Sequence, residues 1–465
     1  MTDPVVSPFL GEFRLRTRSI VLALLLGAVP LSAQGLKVPA TVDTLPNGLR
    51  LIVHEDASAP IVTVNVWYHT GSGSEKSGRT GFAHLFEHLM FMGSENAPYP
   101  AFDRMLEAAG ANNNGSTTED RTNYYESGPV SALPLMLWLE ADRMGWLLPT
   151  MDAAKVDAQR DIVKNERRQS YENQPYGMVG DHLPRMLYPA SHPYSWPVIG
   201  SMADLSAASV EDVKDFFRTW YAPNNAVITV AGAVRRDSVL ALVKHYFAAI
   251  PRGPAITAIA PTRPALVRDT ALVLEDRVQQ PQLQYTFPTV KSWDPDDAPL
   301  QVARMILAGS KNARLTKRLI YDEQSATTVQ VYPDHKRYDG DFTVVARSKP
   351  GQPLAPVQRA VDEELRRLAE VTPSARELEQ AKNALEASFL RSTQTVGGKA
   401  DQLNSYYFEV GVPDAFQRDL DRLRAVTAAD VQRVVKQYLT GPRAIVSVVP
   451  MGKRDLAAEP RGVTP

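Results

Sequence analysis

One stretch of this chain occurs twice. EDVKDFFRTWYAPNNAVITVAG (211–232) matches ADVQRVVKQYLTGPRAIVSVVP (429–450), with Asp212 opposite Asp430 and Ala226 opposite Ala444, both 218 positions apart. VKNE at 163–166 meets AKNA at 381–384 at the same spacing. One offset held at three places marks an internal duplication. The fold class that follows is α+β, in two equivalent halves. At 465 residues the chain exceeds what one core usually organises, which agrees with two domains of roughly 200 residues each.

Pro and Thr thicken in PRGPAITAIAPTRPAL (251–266), a linker composition. The halves are therefore expected at 34–250 and 267–455, with a tail at 456–465. TLPNGLRLIVHED alternates apolar and polar residues around Asn47-Gly48, a hairpin signal, and APIVTVNVWYHTGS reads as the next strand. Helical periods dominate from Gly81 to Leu106 and from Asp152 to Tyr171.

Residues 1–33 carry a different message. Arg14, Arg16 and Arg18 precede an apolar run too short to span a bilayer, followed by small residues before Gln34. This is the pattern of a cleaved secretory signal. An exported protein, periplasmic or secreted, is expected, with no stable membrane span after cleavage.

Lys and Arg number 51 against 52 Asp and Glu, a net charge of -1, which leaves no electrostatic footprint for nucleic acid. There is no cysteine. Disulfides, thiolate nucleophiles and Cys-type zinc sites are excluded, so a metal must be held by His and carboxylates.

Those residues are concentrated in GFAHLFEHLMF (81–91). At 100° per residue Phe82, Leu85, Phe86, Leu89 and Met90 form one apolar stripe, and His84, Glu87 and His88 fall on the other side. Two imidazoles one turn apart on one face are spaced to reach a single ion, with Glu87 beside them. A polar solvent face is the plainer alternative, but from Gly81 to Ser94 Glu87 carries the sole full charge. Catalytic zinc takes three protein ligands and leaves a place for water, so a third is needed. Glu166 shares a stripe with Val156, Gln159, Ile162 and Val163, which places a carboxylate on a buried-looking face, where it needs zinc or an arginine. His182 and His192 are rival ligands, although His192 sits in SHPYSWP, which has the look of a rigid turn.

The duplication supplies an internal control. Aligning Gly93-Ser94 with Gly309-Ser310 places Leu300 opposite His84, Ala303 opposite Glu87 and Arg304 opposite His88, while Ala384 faces Glu166. The second half keeps the scaffold and lacks the polar groups, so the fold alone does not require them.

The motif His-x-x-Glu-His resembles the signature of the inverzincins, the pitrilysin and insulysin zinc metallopeptidases that include the mitochondrial processing peptidase. LPNGLRLIV, TGFAHLFEHLMFMGS, NNNGSTTEDRTNYY, VKNERRQSYENQPYG, HPYSWPVIG and the duplicated half extend the resemblance over the whole mature chain. It implies two domains, each a mostly antiparallel sheet with helices packed on it. It implies one Zn2+ per chain on His84, His88 and Glu166, with Glu87 as the base that takes a proton from the attacking water. In NNNGSTTEDRTNYY it implies an edge strand pairing with the peptide backbone, with Asn114 and Gly115 where the family has an Asn-Ala pair beside the scissile bond. The half-length chain is similar to members that work as dimers. Family members complete the site with an Arg and a Tyr from the facing half. Phe342 and Pro353 fall at those places here, with Arg337, Tyr338 and Arg347 close by in sequence. The partner expected is therefore a related chain that supplies the Arg/Tyr pair in a heterodimer. The resulting expectation is a zinc endopeptidase acting on unfolded or short peptides. The alternatives are a non-catalytic assembly subunit and a zinc hydrolase of some other substrate.

Overall fold

The alternation around Asn47-Gly48 folds as a hairpin in which β1 (Thr41–Thr44) runs antiparallel to β2 (Arg50–Glu55). Gly48 turns the chain at φ +92°, in the left-handed region that glycine enters without steric cost. Asn47 donates through Nδ2 to the carbonyls of Phe247 and Ile250, both at 2.9 Å, tying the hairpin to the far end of its half. The structure is a computed structural model that describes residues 35–459 except 258 and 265. The segment read as a secretory signal, residues 1–33, lies outside the described residues.

β3 (Ile61–Tyr68), β4 (Asn112–Thr117), β5 (Thr122–Pro129) and β6 (Ala226–Gly232) complete a six-stranded sheet. Its order is β1-β2-β6-β3-β5-β4, antiparallel except for the parallel pair β2–β6. The helices of this half are α1 (Phe82–Leu89), α2 (Ala101–Ala108), α3 (Leu133–Trp146), α4 (Ala153–Arg167), α5 (Val179–Leu187), α6 (Met202–Ala207), α7 (Val210–Trp220) and α8 (Arg236–Phe247). The helical period read from Gly81 to Leu106 is broken into α1 and α2. Gly93 at φ +84°, with Pro98 and Pro100 behind it, cannot continue a helix, so the chain turns between them.

Residues 251–266 carry no helix or strand among those described. Beyond them β7 (Thr270–Asp276), β8 (Gln282–Thr289), β9 (Ala326–His335), β10 (Gly340–Ser348) and β11 (Ala444–Pro450) form a second sheet in the order β7-β11-β8-β10-β9. Here too one pair, β7–β11, is parallel. The helices are α9 (Asp297–Ala308), α10 (Arg314–Thr316), α11 (Ala355–Glu370), α12 (Ala375–Ser392), α13 (Val396–Val410), α14 (Phe416–Ala425) and α15 (Ala428–Tyr438).

The 218-residue offset is visible in the elements themselves. α7 and α15 have the same length and register, as do β6 and β11. Each of the two helices starts in a capping box, Ser209 with Asp212 and Thr427 with Asp430, in which side chain and backbone satisfy each other's end groups. Each half has its own apolar core, one around Val64, Phe86 and Met136 and one around Tyr285, Leu300 and Val361. Among the described residues no helix is long and apolar enough to cross a membrane.

The halves clasp each other reciprocally. α13, from the second half, packs on β3 and β6, with Val396 and Ala400 against Ala231. α5, from the first half, packs on β11, with Val179 against Val446 and Val448. Asn404 on α13 uses both ends of its amide in this contact: its Oδ1 accepts from Thr229 Oγ1 at 2.6 Å and its Nδ2 donates to the Asn65 carbonyl at 3.0 Å.

Candidate metal centre

α1 places its residues as its sequence period requires. Phe82, Leu85, Phe86 and Leu89 are buried in the first core, and His84, Glu87 and His88 face away from it. The helix starts abruptly after Gly81, at φ +89°. Its first N–H groups find a carboxylate rather than a local cap: Glu75 accepts from the backbone N–H of Gly81 at 3.0 Å and of Ala83 at 2.8 Å, and from Trp196 Nε1 at 3.1 Å. Burial pushes the Glu75 carboxyl up to about 8, against the pull of these donors. Sequence reasoning missed Glu75, because it stands outside capping-box spacing and reaches the helix through a loop.

α4 brings the third group. Glu166 Oε2 lies 3.3 Å from His88 Nε2 and 3.7 Å from His84 Nε2. Arg167 anchors the helix end here, donating to the Gly200 carbonyl at 2.9 Å and to Asp181 at 2.6 Å, after which the chain runs as a π-helix through Arg168–Glu172. The stripe read around Glu166 is partly revised. Val156, Gln159 and Val163 are buried, but Ile162 is 48% exposed and the Glu166 side chain 41% exposed. The helix presents Ile162 and Glu166 partly to solvent, so the carboxylate avoids the desolvation a core position imposes.

His84, His88 and Glu166 form the one group of three potential metal ligands among the described residues, with ligand atoms within 4.8 Å of one another. A tetrahedral ion with bonds of about 2.0–2.1 Å has ligand–ligand edges of roughly 3.3–3.4 Å. The 3.3 Å separation from His88 equals such an edge and the 3.7 Å separation from His84 is slightly longer, so the cluster is of a size that closes on one ion with a small inward movement. The donor set fits as well. Burial, reinforced by His88, depresses His84 to about 4, which leaves its imidazole neutral with a lone pair to give. The hydrogen bond from His88 holds Glu166 below the usual carboxyl range, as an anion. Two imidazoles and a carboxylate make a zinc-type set. His182 and His192 stay outside it. His192 is buried in the turn its sequence suggested, with Nε2 3.0 Å from Asp339 and Nδ1 accepting from the Tyr194 N–H at 3.1 Å.

Glu87 sits next to the cluster without joining it. Burial raises its carboxyl above the usual range, opposed by the Thr117 hydroxyl, which donates to Oε2 at 2.5 Å. β4, which carries Thr117, is the edge of its sheet; among the described residues no strand pairs with its outer side. Asn114 is exposed there and accepts the Gly115 N–H on its own Oδ1 at 2.8 Å. A Cβ on Gly115 falls 3.2 Å from Glu87 Cγ and 3.3 Å from the Phe91 ring, so the strand passes close to Glu87 at this glycine.

Among the described residues the second half brings no such groups together. Leu300 and Ala303 are buried in its core. Phe342 is fully buried and Pro353 exposed. Arg347 stacks on Tyr176 at 4.0 Å, and Arg337 on Phe408 at 4.8 Å.

The insulinase (peptidase family M16) model matches residues 50–195, which contain His84, Glu87, His88 and Glu166, and the peptidase M16 inactive-domain model matches 207–385. The zinc protease PqqE of Helicobacter pylori is 27% identical over 434 residues, covering 91% of this chain and 96% of that one. A probable mitochondrial-processing peptidase subunit beta of Arabidopsis thaliana is 26% identical over 426 residues, 89% of this chain and 79% of that one. Two crystal structures share the fold. A protease from Helicobacter pylori has a TM-score of 0.83 at 23% identity, over 89% of this chain and 100% of that one. A peptidase M16 inactive domain from Pseudomonas fluorescens has 0.80 at 19%, over 91% and 99%.

Proposed function

Because this chain belongs to the insulinase (M16) peptidase family, we propose that it is a zinc-dependent endopeptidase acting on unfolded or short peptides. The observation that carries this reading is the convergence of His84, His88 and Glu166 beside a carboxylate, Glu87, that is not a member of the ligand set. Zinc, when held there, supplies the Lewis acidity that activates a water and polarises a carbonyl. Glu87 takes the water's proton on its free oxygen and returns it to the leaving amine. Its raised affinity for a proton, a consequence of burial, suits that exchange.

A peptide laid along the outer side of β4, which no strand of the sheet covers among the described residues, passes Asn114 and Gly115 next to Glu87. Recognition of this kind reads extended backbone and makes little demand on side chains. We further infer a heterodimer with a related chain that brings an Arg and a Tyr to the site, since Phe342 is spent in the core and Pro353 has no polar group to offer. Action outside the cytoplasm follows from the secretory pattern of residues 1–33.

The test is zinc quantification together with peptidase activity on a mixture of unstructured peptides. The purified chain and Glu87→Gln are compared, alone and with a related chain encoded beside it. The expected result is about one zinc in each, with activity in Glu87→Gln reduced by roughly 10²–10⁴-fold. A chain that holds no zinc and shows no activity is instead the assembly subunit, and activity that survives Glu87→Gln removes Glu87 from the role of base.

A further inference from the structure

We propose that Thr117 is a positioning residue that aims Glu87 and couples it to the strand along which a peptide is read. This rests on the peptidase reading above. Thr117 is the last residue of β4, and its hydroxyl donates to Glu87 Oε2 at 2.5 Å. One carboxylate oxygen is thereby committed, which leaves the other to exchange a proton with water.

The hydroxyl is not a loose contact, because the end of its hairpin is fixed from several sides. Thr117 pairs across the ladder with Thr122, whose hydroxyl donates to the Thr70 carbonyl at 2.9 Å. In the turn that follows, the Thr118 and Glu119 carbonyls accept from the N–H groups of Ser72 at 3.1 Å and Gly73 at 2.8 Å. Asp120 accepts from the Tyr194 hydroxyl at 2.5 Å and from the backbone N–H of Arg337, in the second half, at 3.0 Å. Three segments distant in sequence therefore set the place of one hydroxyl. The catalytically bare half contributes to the aim of the base through Arg337.

The register of the second half gives the contrast. Thr122 pairs with Thr117 across β4–β5, and Gly340 pairs with His335 across β9–β10, so His335 stands where Thr117 does. Ala303 replaces Glu87, and His335 turns to Asp297, 2.5 Å away. Where the base is absent, the residue at this register position serves another contact.

The experiment uses the full chain, with its partner chain if the wild type needs one. Thr117→Val keeps the shape and removes the donor, and Thr117→Ser restores it. Zinc content, melting temperature, kcat and KM are measured, and the zinc-loaded Thr117→Val crystal structure is determined. The expected result for Thr117→Val is zinc and melting temperature retained, KM little changed, and kcat lower by roughly ten- to hundredfold, the size of a lost hydrogen bond to a charged group. Its Glu87 carboxylate turns away from β4 while His84, His88 and Glu166 stay in place, and Thr117→Ser recovers most of the kcat. A kcat within about twofold of wild type overturns the inference. Zinc loss in Thr117→Val, or a Thr117→Ser as impaired as Thr117→Val, also overturns it, since the methyl packing then matters and the hydroxyl does not. If Thr117→Val fails to fold, Thr117→Ala is held to the same outcomes. A wild type without zinc, or without activity that Glu87→Gln abolishes, overturns the peptidase reading and this inference with it.

Discussion

α1 with α4, and α9 with α12, are the same pair of packed helices built twice, and they differ in what they hold. In the first pair His84, His88 and Glu166 converge. In the second, α9 buries residues on most of its circumference, Leu300 and Ala303 among them. Beside it lies a cleft of about 240 Å³ whose lining includes Met305, Ala381 and Ala384 together with Asn312, Glu377 and Gln380. A helix pair of this architecture therefore stands with Leu300, Arg304 and Ala384 opposite His84, His88 and Glu166, none of them a metal-ligating residue type. The polar groups of the first pair are an addition to the fold and not one of its supports.

The same contrast recurs beneath the sheets. Glu126 pairs with Val64 across β3–β5, and at the equivalent place Val344 pairs with Tyr285 across β8–β10. Glu126 belongs to a fully buried triad: Arg143 donates to it at 3.1 Å and also bonds Glu140, while its guanidinium lies over Tyr124 at 4.4 Å and Phe102 at 4.6 Å. The second core meets the same need with Val344 and Val361.

These comparisons can be broken by experiment. The largest effect is expected from emptying the metal centre. Chelation, or Glu166→Ala, should lower peptidase activity by roughly a hundredfold or more while helix content by circular dichroism stays unchanged. Full activity in metal-free protein would sink the assignment. Next comes the triad. Arg143→Met alone strands two buried carboxylates and should destabilise by about 3–5 kcal/mol, whereas exchanging all three members for apolar residues of similar volume should be neutral or stabilising by about 1–4 kcal/mol. Denaturant unfolding of the single and triple variants decides this, and equal losses in the two would refute it.

The clasp between the halves follows. Asn404→Ala leaves the buried Asn65 carbonyl and Thr229 hydroxyl without their partner and should cost about 1–3 kcal/mol. A change in midpoint too small to resolve would show that α13 is held by apolar contact alone. The smallest effect should be the most symmetric. Ser209→Ala and Thr427→Ala each remove a capping box at the same place in the repeat and should each cost about 1 kcal/mol. Values differing by more than the cap itself would mean that the two helices are not equivalent.

Much of this was legible in the chain. The 218-residue offset gave two equivalent halves because α7, β6 and their repeats keep both capping chemistry and apolar period in a contiguous stretch. His84, Glu87 and His88 were readable for the same reason: one helical turn fixes their mutual placement. Glu166 was legible as a carboxylate needing a cation, but its setting was misjudged, since the helical period does not say whether a stripe faces a core or partly meets solvent. Glu75, Thr117 and Asp120 carried no signal. Each reaches its partner through a loop or across a hairpin, where spacing along the chain bears no relation to distance.

The sequence by itself determined the repeat, the strands and helices, and which side chains share the polar face of α1, because these follow from periods of 2.0 and 3.6 residues acting over short spans. The resemblance implied Glu166 as the third ligand and an edge strand at Asn114, but only the tertiary structure showed α4 bringing Glu166 to those histidines, β4 running beside Glu87, and the turn after β4 held by the second half. Such placements come from packing between elements far apart in sequence, and a local period has no term for them.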